Sequence, residues 1–535
     1  MLLLTASCSN DENNEQKEPA QTVQFSFTNE DFGEDETPSR ATSAAETKPQ
    51  TIDLGDCEAE ITVENEPAVK KTRGAQTPAN GHYTIRAYQG GTLKGEIKGT
   101  FNGGKFSPDA SSKRGIILPH GTYDFIAFND DVIPLGNDLT VARDKAATAM
   151  IGFANGQNIS QEPRQLVSFT MKHVGARLRT QFVCKKDIPN AITATLEATA
   201  ANVIPTSVAY NPATRAYIAT NGAMTAEPNN SPASTEVKYI ASFHGLRYSY
   251  TSTCTDYHYF LPTTEGNKLK LSFSAGTLFW KPLTGTIPQF NAPLQMQSGR
   301  SYLVKIKLKP QYIYLMSNGD IGTFRETTFG GAPAATAKTP IAVIVNQGNH
   351  MAIALNEANG GADMYWCTNT YYNTQATTYM ASLTDALNSQ ATNGVEDTWD
   401  ASRSTSAVTG NKVKALNPDF LAFYAAAHYN PGVAYTGSPT LQWYLPSYND
   451  FKWLFSLGFG DNAAVTEEGQ YKWYGGLAND AFTQVGGTTI SMQNYWSTLE
   501  YDNTKVGFVT PYNHSVSWDG YGKNNSNCVR SFVKY

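Results

Sequence analysis

The chain's last hundred residues carry three runs that decide how its end folds: LQWYLPSYNDFKWLFSLG (441–458), NYWSTLEYDN (494–503) and SWDGYGKNNSNCVRSFVKY (517–535). Trp443 to Pro446 reads as a strand leading into a turn. Ser447 stands where a helix N-cap belongs, and Asp450, three residues on, completes the spacing of a capping box. Phe451, Leu454 and Phe455 fall at i, i+3 and i+4, so one face of that helix is apolar. Gly458 is placed to stop it as the C′ residue. Aromatic and Gly/Asn-rich loops follow, and Val529 to Val533 reads as a last strand. Upstream, Asn417-Pro-Asp-Phe-Leu-Ala-Phe-Tyr predicts a second helix, with Asn417 as N-cap and Phe420, Phe423 and Tyr424 as its apolar stripe.

WYLPS with its helix, YWST-x-E, and the closing NN-S-x-x-VRSF strand resemble a module common in Bacteroidetes surface proteins. That module is similar to the C-type-lectin-like and formylglycine-generating-enzyme fold. Tyr314–Gly322, Thr339–Gln347 and Met351–Tyr365 look like its opening strands, so the resemblance spans 311–535. It implies a ligand-binding surface built from Trp496, Glu500, Tyr501, Asp502, Asn503, Trp518, Asp519, Asn524 and Asn525. Aromatic faces suit stacking on sugar rings or peptide side chains, although Trp443, Trp453 and Trp496 read first as core residues. Glu500, Asp502, Asn503 and Asp519 are the oxygen donors a Ca²⁺ ion would take. The usual lectin triplet is missing there. Glu227-Pro-Asn229 spells it far upstream and reads as coincidence. The resemblance also implies a Cys367–Cys528 disulfide; two buried thiols are the alternative.

Composition separates this region from the rest. Of eight Trp, seven lie beyond residue 310, and 311–535 holds 11 Lys and Arg against 17 Asp and Glu, which is the whole net charge of −6. A boundary near Lys309-Pro310 follows. No basic patch points to nucleic acid. Charged residues are only 16% of the 535, while Gly (43) and Tyr (29) are abundant, which favours β structure with many turns. No nucleophile elbow, phosphate loop, C-x-x-C or metal-binding His pair is visible, so neither an enzyme nor a cofactor is expected.

Ahead of the boundary, two β regions are expected, 22–165 and 166–310. In the first, Tyr123, Phe125 and Ala127 fall on one face and Ile126 and Phe128 on the other, the pattern of a strand buried between layers. The second opens at Leu166 and slips phase near His173. It closes on GRSYLVKIKL (299–308), where Lys305, Lys307 and Lys309 alternate away from Val304, Ile306 and Leu308, as on a solvated or edge strand.

Leu4-Thr-Ala-Ser-Cys8 resembles a bacterial lipoprotein cleavage box, with Cys8 lipidated and residues 1–21 as signal and tether. Together with LPHGTYDFIAFN (118–129), FTMKHVGARLR (169–179) and SGRSYLVKIKL (298–308), it resembles the fimbrillin family, the subunits of Bacteroidales type V pili. The expected fold is therefore mainly β: two tandem fimbrillin-like β-sandwich domains followed by an α+β lectin-like domain. The resemblance implies a surface lipoprotein precursor cut after Arg73, before Gly74, with Arg40 as the other candidate. The departing strand, with Ile61 to Val63, would leave a groove for a donor strand from another subunit. A bulky final domain then implies a tip adhesin for a host or microbial glycan or protein. The alternative is a non-polymerising surface lipoprotein binding the same class of ligand.

Overall fold

A computed structural model describes residues 20–33, 50–55, 57–65, 79–112, 115–160, 165–235, 244–290, 294–378, 382–388, 393–460 and 473–535. The fold is mainly β, as expected. Eight strands make the first sheet, in the order Lys105–Pro108, Thr92–Asn102, Gly81–Gln89, Gly121–Asn129, Met150–Ile159, Gln165–His173, Ala20–Asn29 and Ile117–Pro119. The sheet curls until its ends approach: Phe25 sits edge-on to Phe106 at 5.6 Å. Phe25, Phe27, Tyr83, Phe125 and Phe169 fill the inside. A smaller sheet (Ala216–Gly222, Ile204–Asn211, Asp138–Ala142, Ile133–Leu135) covers the outside, where Ile126 and Phe128 pack with Leu139, Val141 and Val208. Residues 125–128 are thus buried on both faces, as their unbroken apolar run requires.

A second pair of sheets encloses another core. One runs Tyr250–Thr253, Ala176–Cys184, Ser301–Pro310, Cys57–Asn65, Gln50–Asp53; the other runs Glu227–Ser231, Ile192–Ala198, Leu269–Ala275, Thr286–Ile287. The sheets do not follow consecutive halves of the chain. Gln165–His173 belongs to the first sheet, and the chain crosses to the second at Val174-Gly175. A Cβ on Gly175 would lie 2.1 Å from the Ala146 carbonyl oxygen, so only glycine fits that crossing. The crossing is the phase slip visible near His173. Nor is Ser301–Pro310 an edge strand: Ala176–Cys184 pairs with it on one side and Cys57–Asn65 on the other.

A buried polar network ties the two units together. Glu227 accepts from Arg143 at 2.6 Å and from His258 Nδ1 at 2.7 Å. His258 Nε2 lies 3.0 Å from Asn229 Oδ1. The Glu-Pro-Asn triplet therefore has a structural role. Burial opposes a charge on His258, but the Cys254 side chain and the Glu227 carboxylate outweigh it and push its pKa up to about 9. A folded-state pKa above the unfolded value of about 6.5 means stability that is complete below pH 6.5 and lost as pH rises through 9. Unfolding between pH 6 and 10 should therefore lose about 2–3 kcal/mol, and His258→Gln should flatten that slope. An unchanged slope in the variant would refute the assignment.

Beyond residue 310, six strands form a mixed-length sheet: Ile321–Thr323, Ile313–Met316, Pro340–Asn346, Met351–Ala354, Phe532–Lys534 and Gln442–Tyr444. A three-stranded sheet (Tyr495–Glu500, Lys505–Pro511, Val516–Gly522) and short helices pack around it. The capping box forms: Asp450 N–H donates to Ser447 Oγ (3.2 Å) and Ser447 N–H to Asp450 Oδ2 (2.9 Å). Ser447→Ala should cost about 1–2 kcal/mol in urea unfolding, and a loss of only a few tenths would show the cap to be redundant.

Three local expectations are corrected. The helix breaks into Tyr448–Phe451 and a 3₁₀ segment Lys452–Gly458, and the left-handed residue is Phe459 (φ 58°), not Gly458. Gly458 is there for space, since a Cβ would meet Trp473 at 2.5 Å. Asn417 caps no helix; its side-chain oxygen accepts from Asp419 N–H in a turn, and the helix is Leu421–Ala427. Cys367 and Cys528 form no disulfide: both are free and buried, in two different cores, and Cys528 Sγ contacts Asp363 at 3.0 Å.

Candidate functional site

Cys57–Asn65 lies antiparallel to Ser301–Pro310, with Cys57 opposite Pro310, Ile61 opposite Ile306 and Val63 opposite Val304. Alternation sends Cys57, Ala59 and Ile61 into the second core and Glu58, Glu60 and Thr62 to the other face. Glu60 bridges Lys307 (2.8 Å) and Lys309. Burial opposes its charge, but the two lysines prevail and its pKa falls below the usual carboxylate range. Glu58 pairs with Arg325 Nε at 3.2 Å, yet burial dominates and raises its pKa. The lysine alternation that suggests solvent is thus answered by an acidic strand from some 250 residues upstream.

The first sheet is completed in the same way. Ala20–Asn29 runs parallel to Gln165–His173 and stacks Phe27 on Tyr83, ring centroids 4.6 Å apart. Residues before position 66 therefore supply strands to both units. Their departure would take Phe25, Phe27, Ile52, Ala59 and Ile61 out of the two cores, each large side chain worth roughly 1.5–3 kcal/mol when buried. Such a gap holds only if another strand fills it. Cys8, Arg40, Arg73 and Gly74 lie outside the described residues.

The expected ligand surface is not assembled. Trp496 and Trp518 are core residues, 0% and 1% exposed. Glu500 is also fully buried; its oxygens accept from the N–H groups of Ala376 (3.0 Å) and Thr377 (2.6 Å), the Thr377 hydroxyl and Lys523. Asp502 closes a turn onto Thr504 and Lys505. The Thr504 hydroxyl is the chief reason its carboxyl sits below the usual range. Tyr501 is half-buried, with its hydroxyl 3.4 Å from that of Tyr448. Of the nine, only Asn503, Asp519 and Asn524 are exposed, with Tyr501, Asp502 and Asn525 partly so. Glu500 cannot join Asp502, Asn503 and Asp519 around a Ca²⁺ ion, because its lone pairs are already used. Among the described residues, no group of three or more His, Cys, Asp or Glu could hold a metal.

A cleft of about 520 Å³ lies elsewhere in this region, lined by Glu357, Asn359, Gly360, Ala425, His428 and Asn430. Arg530, fully buried, does not line it but holds the lining residue Glu357 at 2.7 Å. The sequence signal for it is the turn Asn356-Glu-Ala-Asn-Gly-Gly361 directly after a buried strand; Asn359 and Gly360 are left-handed (φ 54° and 65°).

The region beyond 310 is seated on the second unit. Leu477 enters the second core, Tyr474 donates to Asp187 at 2.9 Å, and Lys185 pairs with Asp480 at 2.7 Å.

A family model described as Fimbrillin-like matches residues 56–323, half of the chain, beginning at the strand that carries Glu58 and Glu60. The chain belongs to this fimbrillin-like family. Among solved structures, it is similar to a fimbrial protein from Bacteroides ovatus (12% identity, 97% of this chain and 100% of that one, TM-score 0.22). A fimbrial protein from Bacteroides vulgatus matches at 12% identity over 45% of this chain and 90% of that one, TM-score 0.26. The tip fimbrial protein of Porphyromonas gingivalis with C-terminal truncation matches at 10% identity over 43% and 93%, TM-score 0.23. None of the curated proteins matches the chain.

Proposed function

We propose that this fimbrillin-like chain is the terminal, adhesive subunit of a surface fimbria. It is made as a lipoprotein precursor and accepts a donor strand from another subunit after its leading strands leave. The observation that carries the reading is the placement of Ala20–Asn29 and Cys57–Asn65, one in each unit, both ahead of Arg73. One cut at Arg73 frees both strands together; a cut at Arg40 frees only the first. The terminal position is supported by the region beyond 310, a module read as lectin-like. There Phe532–Lys534 is hydrogen-bonded on both sides inside a sheet and is not free to enter a neighbour. N-terminal sequencing of the protein from assembled fibres tests the cleavage. A start at Gly74 or Ala41 is expected, and an intact leading segment would overturn the reading. Immunogold against 311–535 tests position: label at fibre ends is expected, and label along the whole shaft would exclude a terminal subunit. Metabolic labelling with a fatty-acid analogue should be lost in Cys8→Ala.

A further inference from the structure

A backbone ladder accepts almost any extended segment that lacks proline, so the selectivity of a strand-accepting groove rests on side chains. Two features of the seat of Cys57–Asn65 are selective. Its floor is shallow at one end and deep at the other: Cys57 and Ala59, both small, are followed by Ile61. Its outer side is cationic. Lys307 and Lys309 project from Ser301–Pro310 and close on Glu60. Arg325, on the short helix Phe324–Glu326, reaches across from the region beyond 310 to Glu58, which is only 4% exposed. With the strand gone, these three cations face an empty ladder. Arg325 also has capacity to spare. Its Nη2 is buried with no hydrogen-bond partner, so Glu58 occupies one prong of a fork that can bind a carboxylate with two.

We propose that this groove selects its partner by charge: the incoming strand carries carboxylates at two alternate positions, a small residue between them and a branched aliphatic residue one step on. The first carboxylate meets Arg325 and the second meets Lys307 and Lys309. Because Arg325 belongs to the region beyond 310, the same carboxylate reports strand occupancy to that region. The resident strand, with one prong of Arg325 unfilled, is displaced most readily by a segment whose carboxylate satisfies both. The inference rests on the strand-accepting reading proposed above.

The test uses the full chain, nicked within 66–78 by an arginine-specific protease and challenged with fluorescein-labelled nonapeptides. The first peptide has the sequence of residues 57–65 with Cys57→Ser. The second adds Glu58→Gln and Glu60→Gln, and the third Glu58→Lys and Glu60→Lys. Binding is read by anisotropy. The neutral peptide should bind about ten-fold or more weakly than the acidic one, which corresponds to losing one to two charge-assisted hydrogen bonds. The basic peptide should fail on the wild type and bind to the Arg325→Glu/Lys307→Glu/Lys309→Glu chain. Should that chain not fold, Arg325→Gln/Lys307→Gln/Lys309→Gln should bring the acidic and neutral peptides to within about three-fold of each other. Equal binding of all three peptides to the wild type would overturn charge selection and leave strand acceptance standing. If no peptide enters, whatever its charge, strand acceptance falls and the charge rule with it.

Discussion

Glu500→Gln should destabilise the region beyond residue 310 by about 3–5 kcal/mol, the usual cost of breaking a buried ion pair from one side. Glu500 and Lys523 are both 0% exposed and in contact. Each also anchors backbone from elsewhere. Glu500 accepts the N–H groups of Ala376 and Thr377, and Lys523 donates to the carbonyls of Thr374 (2.7 Å) and Asn503 (2.9 Å). The pair thus staples the 371–377 loop to the three-stranded sheet. Glutamine keeps the shape but removes the charge, leaving the ammonium without a counter-charge in a fully buried site. Lys523→Met should cost a similar amount from the other side. The double variant should cost less than the two together, since no unpaired charge remains. Urea unfolding of the three chains measures this directly. A Glu500→Gln chain within 1 kcal/mol of the parent would mean that solvent reaches the pair. Glu500 would then again be open to a ligand.

The fate of Glu500 shows where sequence reading ran out. An acidic residue between aromatics in a loop-rich module reads as part of a binding rim. Whether it faces solvent is decided by Lys523 and by residues 376 and 377, more than a hundred positions away. The same holds for Ser301–Pro310. Alternating lysines suit an edge strand or a central strand whose neighbour is acidic, and only the fold shows that Glu58 and Glu60 are that neighbour. What was legible was local or two-sided. The Ser447–Asp450 cap needs three residues, and the run 125–128 announces burial on both faces by its own composition. Trp496 and Trp518 carried no such internal signal, because an indole suits a core and a sugar face alike. The cleft around Glu357 was missed because it is assembled from the 356–361 turn, the end of Leu421–Ala427 and Thr488, none of which is unusual alone.

Arg530→Lys should cost about 3–5 kcal/mol as well, although charge is conserved. The guanidinium is fully buried and spreads its donors over the carbonyls of Ala354 (2.9 Å), Leu355 (2.7 Å) and Thr488 (3.2 Å), the Thr488 hydroxyl and Glu357. Its plane lies over Phe482 at 4.7 Å. A lysine ammonium has three donors and no fork, so it can reach Glu357 or the carbonyls but not both sets. At least two buried acceptors are then left without partners, at roughly 1–3 kcal/mol each. Arg530→Met should be no milder, because it strands the Glu357 carboxylate beside Tyr495 and Thr488. Both variants also loosen the wall of the 520 Å³ cleft, since Arg530 fixes the Glu357 rotamer. Hydrogen exchange should therefore rise first across 354–361 and at Thr488, ahead of the three-stranded sheet. Exchange confined to the Lys505–Pro511 strand instead would show that Arg530 is not what holds this end of the module.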